Sequence, residues 1–417
     1  MRVCKFGGAA LRDGAGFRRA AEILRSAADR QVAVVSAPGR GVNGEEKITD
    51  LLYACQSAAG AGRGFGHLFD RIAARYRQIA LELGLPAPDG ALREIYGGIK
   101  GGASPAWAAS RGEWLSAGLL AAYLNWPRAE AAECVRFESG GGLREAETAA
   151  RLRTLPLPCV LPGFYGAEEE GVLRTFPRGG SDVTGALAAA ALNADVYENW
   201  KDVRGVCAAD PALVPGAAWV GEMTYRELRA LSTLGGQVMA EEAVAPVRAA
   251  GVALNIRSYI EAEHPGTWVR PAFGGEKRAA AIAVTGQRER TLHRLERMDG
   301  GGILARTALS TGLPLSLLSA DADSVQLLLP EGELLPEGLR DRADTVRTQP
   351  RAAEISLVGE GLHRMDAAAR FCAALSGAGV RTLALHFPSD GLFITAVVPR
   401  EDYETGIRAV YAAFWEK

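Results

Sequence analysis

Two short stretches hold the residue types that phosphate and carboxylate chemistry requires. The first is Arg178-Gly179-Gly180-Ser181-Asp182-Val183-Thr184, set between a loop and an alanine-rich run. Adjacent glycines let the backbone approach a ligand closely and adopt positive φ. A helix start offers unpaired N–H groups and a partial positive charge, which suit an anion. Arg178 suits a forked contact to a carboxylate, and Asp182 suits an ammonium group or the alignment of a nucleophile. The same residues also describe a plain capped helix after a turn, with Ser181 or Asp182 as the cap. The second stretch is Lys5-Phe6-Gly7-Gly8, a lysine at a strand end beside a glycine turn. Such a lysine can reach nucleotide phosphates as a point charge; more ordinarily it is a solvated group. The chain has no Walker A order, no G-x-G-x-x-G after its first strand and no G-x-S-x-G elbow.

The elements that must position these residues alternate between two periods. Val3 to Phe6 and Val32 to Val35 read as short strands, with Phe17, Ala21 and Leu24 at helical spacing between them. Thr49-Asp50 reads as a cap ahead of the helix carrying Leu51-Leu52. Asp89 to Ala103 reads as a looser, glycine-rich patch, and a further helix carries Glu113, Trp114, Leu115, Leu119 and Leu120. A strand at Cys159 to Leu161 and the turn Pro162 to Gly166 precede the alanine-rich helix, Thr184 to Leu192, with Asn193 as its C-cap. Val196 to Trp200 forms the next strand. This alternation predicts βαβ units and a mainly parallel sheet covered on both faces. Texture changes near residue 288, where His264 to Thr267 and Arg288 to Arg290 mark a boundary. Beyond it, Leu292 to Leu329 and Ile355 to Trp415 repeat a weaker α+β order.

At 417 residues, the chain exceeds what one hydrophobic core usually fills, so two or three domains are expected. Apolar residues form 48% and charged residues 23%, as in an ordinary globular protein, and a net charge of −2 gives no general attraction to nucleic acid or an anionic membrane. Six scattered cysteines without a C-x-x-C pair or a secretory segment imply free thiols in a reducing compartment, hence a cytoplasmic location. No stretch reaches the ~20 apolar residues of a membrane span. The histidines are equally scattered, so no metal site is assigned.

Taken in order, the stretches KFGG (Lys5 to Gly8), VVSAPGR (Val34 to Arg40), KITDLL (Lys47 to Leu52), SRGEWLSA (Ser110 to Ala117), PGFYG (Pro162 to Gly166), RGGSDVTGAL (Arg178 to Leu187) and NADVYENWKDVRGV (Asn193 to Val206) match one family. With ADP (Ala209 to Pro211), MTYREL (Met223 to Leu228) and PGT (Pro265 to Thr267), the sequence resembles monofunctional aspartate kinases of the amino-acid kinase superfamily along most of its length. The resemblance implies an α/β, three-layer sandwich with a mainly parallel sheet over residues 1–288. A regulatory region of two α+β ACT-like domains follows at 289–417, about 292–350 and 351–417. It also implies transfer of the ATP γ-phosphate to the side-chain carboxylate of L-aspartate, on the way to lysine, threonine and methionine.

By position, Lys5 would meet the transferring phosphate and Asp182 would orient the substrate and assist catalysis. Ser36, Thr49, Glu113, Phe164, Arg178 and Ser181 would line the aspartate site. Lys5, Gly7, Gly8, Lys201, Asp202 and Cys207 would face ATP, with Mg2+ held mainly by the nucleotide. An amino-acid effector and a homodimer or higher homo-oligomer formed through the ACT-like domains are the further partners implied; nucleic acid and membrane are not.

Several positions depart from the family pattern. Ala9-Ala10 stand where Thr-Ser is usual, Lys201 where threonine is usual, Cys207 for a tyrosine and Ala212 for an arginine. The segment Gly235 to Ala240 lacks a customary histidine, and Phe387 to Leu392 lacks the polar run associated with lysine or threonine feedback. These changes motivate a second reading, a catalytically weakened paralogue that senses a ligand. A third is a kinase for another small carboxylate such as glutamate.

Overall fold

The computed structural model describes residues 1–41, 44–177, 179–236, 238–272, 280–312, 316–364 and 366–416. The chain divides into two compact units, one of Met1–Val206, Gly221–Tyr225 and Met239–Phe273, the other of Cys207–Val220, Arg226–Val238 and Gly274–Lys417.

In the first unit, β1 (Arg2–Phe6) leads through α1 (Gly14–Arg25) to β2 (Arg30–Val35). Asp13 caps α1 by accepting the Gly16 N–H at 2.8 Å. Four helices follow: α2 (Ile48–Gly60), α3 (Gly66–Glu82), α4 (Asp89–Lys100) and α5 (Pro105–Leu124). Then come β3 (Cys159–Pro162), α6 (Gly180–Ala191), β4 (Val196–Lys201), β5 (Glu222–Thr224), α7 (Glu241–Ala249), β6 (Ala253–Ser258) and β7 (Thr267–Arg270). Among the described residues the strands form one sheet in the order β3-β2-β1-β4-β6-β7-β5, parallel except for the β6–β7 pair.

The run Val32 to Val35 has no exposed surface, as expected of a parallel strand covered on both faces. One face carries Cys4, Phe6, Val35 and Trp200 into a core with Leu24, Ile72, Tyr76 and Leu120. On the other face α6 packs against β1, β4 and α7. The result is helix, sheet, helix: the expected three-layer sandwich.

Three local readings change. Thr49 and Asp50 lie within the first turn of α2, and Lys47 occupies the cap position without a side-chain bond. The glycine-rich patch Asp89 to Ala103 is largely the helix α4. Its Gly98 is there because a Cβ would stand 2.4 Å from the Trp107 ring, so the residue records close packing rather than a loop. His264 to Gly266 form the turn between β6 and β7.

The second unit runs β8 (Ala283–Glu296), α8 (Gly301–Ser310), β9 (Ser316–Ala320), β10 (Ser324–Pro330), a short helix at Glu337–Arg340, and β11 (Thr345–Val358). It continues with α9 (Ala367–Gly377), β12 (Ala384–His386), β13 (Phe393–Pro399) and α10 (Tyr403–Trp415). These strands make one antiparallel sheet, β9-β10-β8-β11-β13-β12. Two ACT-like α+β repeats thus share a sheet, with the long strands β8 and β11 paired at its centre. Arg288 to Arg290, read as a boundary, lie inside β8, where the register to β11 shifts between Gln287 and Arg290.

Candidate active site

Strand ends and one helix start bring the chemistry together. Beyond β1, the Ala10 and Leu11 N–H groups donate to the Gly7 carbonyl at 3.0 and 3.2 Å, closing a tight turn. Gly8 lies against the segment after β2: its carbonyl accepts the Gly39 N–H at 2.8 Å, and a Cβ on it would meet the Ala37 oxygen at 2.7 Å. Only glycine fits that approach. At the start of α6, Gly179 has φ 81°, which turns the chain into the helix. Phe164 also has positive φ, 77°, and its N–H donates to Thr184 Oγ1 at 3.1 Å, tying the turn after β3 to α6.

These segments enclose a cavity of about 510 Å³ lined by Lys5, Gly8, Ala9, Arg12, Ser36, Ala37, Pro38, Gly39, Arg40, Lys47, Thr49, Glu113, Phe164, Gly179, Gly180 and Ser181. Of the residues singled out in the sequence, Lys5, Gly8, Ser36, Thr49, Glu113, Phe164 and Ser181 therefore share one wall. Gly7 stands beside the lysine: a Cβ there would lie 3.5 Å from Lys5 Nζ. Arg178 lies outside the described residues. Asp202 is exposed next to Lys201, and Cys207 belongs to the second unit, half-buried, with burial pushing its thiol up.

Behind the wall, Lys5 Nζ lies 2.5 Å from Asp182 Oδ1, which also accepts Asn199 Nδ2 at 3.1 Å. Burial works to raise the Asp182 carboxyl, but the charges of Lys5 and Lys201, with hydrogen bonds from Lys5 and Asn199, hold it below its ordinary range. Asp182 is therefore ionised at neutral pH. Burial pushes the Lys201 ammonium down, aided by the charge of Lys5 and opposed by that of Asp182.

Glu113 behaves differently. Burial pushes its carboxyl up to about 7, against hydrogen bonding from the Ala37 N–H at 3.0 Å and the charge of Lys5. That bond takes Oε1, while Oε2 is buried without a hydrogen-bond partner. An orphaned carboxyl oxygen on a cavity wall is a ready acceptor for an entering cationic donor.

Sequence reasoning passed over three lining cations, Arg12, Arg40 and Lys47. Arg40 and Lys47 ended and began matched stretches, but nothing in their spacing tells a cavity wall from a solvated surface. Asn199 was missed because its role depends on pairing: it lies opposite Lys5 in the β1–β4 register. Four basic side chains and one acidic one line the cavity, so it suits anions, with Glu113 the exception.

Residues 1–258 match the model of the amino acid kinase family. The chain is 30% identical to Aspartokinase 3 of Bacillus subtilis over 455 aligned residues, covering 100% of this chain and 99% of that one. This chain is an aspartate kinase family member. The crystal structure of the aspartate kinase of Clostridium acetobutylicum, an allosteric enzyme, shares 32% identity with it at a TM-score of 0.90, covering 99% of this chain and 100% of the other. Aspartokinase III of E. coli, in complex with aspartate and ADP, has the same fold at 24% identity and a TM-score of 0.78, with both chains fully covered. Within this aspartate kinase family member, no helix among the described residues is long and apolar enough to cross a membrane, and none of their His, Cys, Asp and Glu side chains form a group of three or more suited to a metal ion.

Proposed function

We infer that this chain transfers the γ-phosphate of ATP to the side-chain carboxylate of L-aspartate. The observation that carries the reading is the mixed character of the 510 Å³ cavity, rich in cations yet holding a buried carboxyl with a free oxygen. Aspartate is an ammonium bearing two carboxylates, and its ammonium suits Glu113 Oε2. Its carboxylates suit the Ser181 end of α6, where helix N–H groups favour negative charge. Ser36, Thr49, Phe164 and Arg178 complete the proposed aspartate site. Lys5, Gly7, Gly8, Lys201, Asp202 and Cys207 are the proposed ATP-side residues.

A carboxylate is already a competent nucleophile at neutral pH, so no strong base is required. The obstacle is bringing two anions within bonding reach. Lys5 lowers that cost by placing positive charge where the phosphoryl oxygens develop theirs, and Asp182 holds Lys5 in place. Mg2+ enters with the nucleotide, bound mainly by its phosphates. Lys5 and Ser181 on one cavity, with Asp182 paired to Lys5 behind it, favour catalysis over ligand sensing alone.

We place catalysis in the region 1–288 and regulation in the region 289–417, where the ACT-like repeats would take an amino-acid effector and pair with a second copy. Light scattering with and without lysine, threonine or methionine tests that part. The catalytic reading is tested by hydroxylamine trapping of the acyl phosphate with MgATP and a panel of acids. Aspartate should give hydroxamate at least tenfold faster than glutamate, and Asp182→Ala should abolish it. Preference for glutamate, or no aspartate-dependent product at ample MgATP, contradicts the reading.

A further inference from the structure

The 510 Å³ cavity has a support that does not line it. Arg75, on α3, is not part of its wall and instead lines the neighbouring cavity of about 610 Å³. Its side chain is only 12% exposed, on the helix whose Ile72, Tyr76 and Ile79 enter the core. The guanidinium gathers three acceptors from separate stretches of chain. Nε donates to the Arg12 carbonyl at 2.8 Å and Nη2 to the Gly39 carbonyl at 3.1 Å, while Nη1 pairs with the Glu45 carboxylate. Arg12 lies beyond the turn after β1, and Gly39 lies beyond β2. Both line the 510 Å³ cavity, as do Gly8 on the first segment and Arg40 on the second. The Gly39 N–H donates to the Gly8 carbonyl at 2.8 Å, so Arg75 adds a further tie between the same two segments.

We propose that Arg75 is a positioning residue that sets the spacing of the segments after β1 and β2, and through them the spacing of the two reactants. This rests on the kinase reading and deepens it. Gly8, on the first segment, belongs to the proposed ATP side; Ser36, on the second, belongs to the proposed aspartate side. A slip of one segment against the other moves the phosphoryl group and the carboxylate apart while every lining side chain remains. Alignment then suffers more than affinity. The Glu45 side chain is 53% exposed, so its ion pair adds little, and the two carbonyls carry the effect. Arginine suits the task because a planar fork sends donors to several acceptors at fixed angles, whereas an ammonium is a single point.

The test compares wild type, Arg75→Met and Arg75→Lys as full-length proteins. Hydroxamate formation reports kcat and the KM values for aspartate and MgATP, and hydrogen exchange reports the segments themselves. Both variants should lose about tenfold or more in kcat, with each KM within about threefold of wild type. Exchange should quicken about tenfold in peptides covering Gly8 to Arg12 and Ala37 to Arg40, and stay within about twofold in α3 and α5. A requirement for charge alone would let Arg75→Lys recover kcat, and that result overturns the proposal. Wild-type kcat in Arg75→Met overturns it too, as does exchange that quickens equally throughout α3 and α5. Should Arg75→Met not fold, Arg75→Gln carries the same comparison. If wild type gives no aspartate-dependent turnover, the kinase reading fails, yet exchange at the two segments still decides what Arg75 holds.

Discussion

Two carboxylates of the first unit, the buried Glu198 and the half-buried Asp182, are treated in opposite ways. Glu198, on the α1 face of β4, is saturated: Arg30 Nε lies 2.8 Å from Oε2, Arg2 Nη1 2.9 Å from Oε1, and Arg257 Nη1 3.5 Å from Oε1. Trp200 Nε1 and Cys4 Sγ also donate to Oε2, at 3.1 and 3.3 Å, while Arg30 and Arg257 lie over the Trp200 ring. Burial works to raise the Glu198 carboxyl, but hydrogen bonding and charge from Arg30, then Arg2, hold it below its ordinary range. Asp182, serving the opposite face, is held by lysines and one amide beside an open cavity. Guanidinium forks fix one geometry, whereas ammonium groups can change partner. The first arrangement holds strands together; the second leaves charge available to a ligand.

The largest effect separating the two should come from Lys5→Met. We expect kcat for hydroxamate formation to fall about 10³-fold, roughly 4 kcal/mol in the barrier. The unfolding midpoint should move little, because Lys201 and Asn199 still face Asp182. The complementary change, Glu198→Gln, strips the arginine cluster of its counter-charge. Urea unfolding should report a loss of about 3–5 kcal/mol, with kcat and KM of the folded protein unchanged. A rate loss without destabilisation in Glu198→Gln would erase the distinction between the two sites.

Glu113 sharpens the comparison through pH. Its folded carboxyl is pushed up to about 7 from an ordinary 4.5. Between those values the unfolded chain gives up a proton that the folded chain keeps. The Glu113 contribution therefore makes stability fall as pH rises, by up to about 3 kcal/mol across the window. Urea unfolding at pH 5 and pH 7 should show this slope in wild type and not in Glu113→Gln. Aspartate affinity should rise over the same window, because an ammonium favours the ionised carboxylate; calorimetry checks it. The smallest effect belongs to packing. Gly98→Ala forces a methyl into the Trp107 ring and should cost about 1–3 kcal/mol, leaving kinetics alone.

What the sequence revealed, and what it hid, follows the same division. Lys5 and Gly8, and Gly179 to Ser181, could be picked out as candidates for one cavity because each lies in a consecutive stretch at an element end. The three-layer fold was legible from alternating strands and helices, and so was the α+β character of the second unit. Glu198 was not singled out, since its three arginines come from distant positions that meet only in the folded sheet. Asn199 and Arg12 were hidden for the same reason. Gly97-Gly98 misled because a glycine that admits a tryptophan looks in sequence like one that breaks a helix. Thr49 looked like a cap because its type fits one, although the helix begins one residue earlier.

The most direct measurement is a crystal structure of the wild-type protein with aspartate and a non-hydrolysable ATP analogue. We expect both ligands in the 510 Å³ cavity, the aspartate ammonium within hydrogen-bond distance of Glu113 Oε2 and the γ-phosphate on Lys5 Nζ. Ligands seated apart, with either in the neighbouring cavity among Arg12, Arg71 and Arg75, would contradict a shared transfer site.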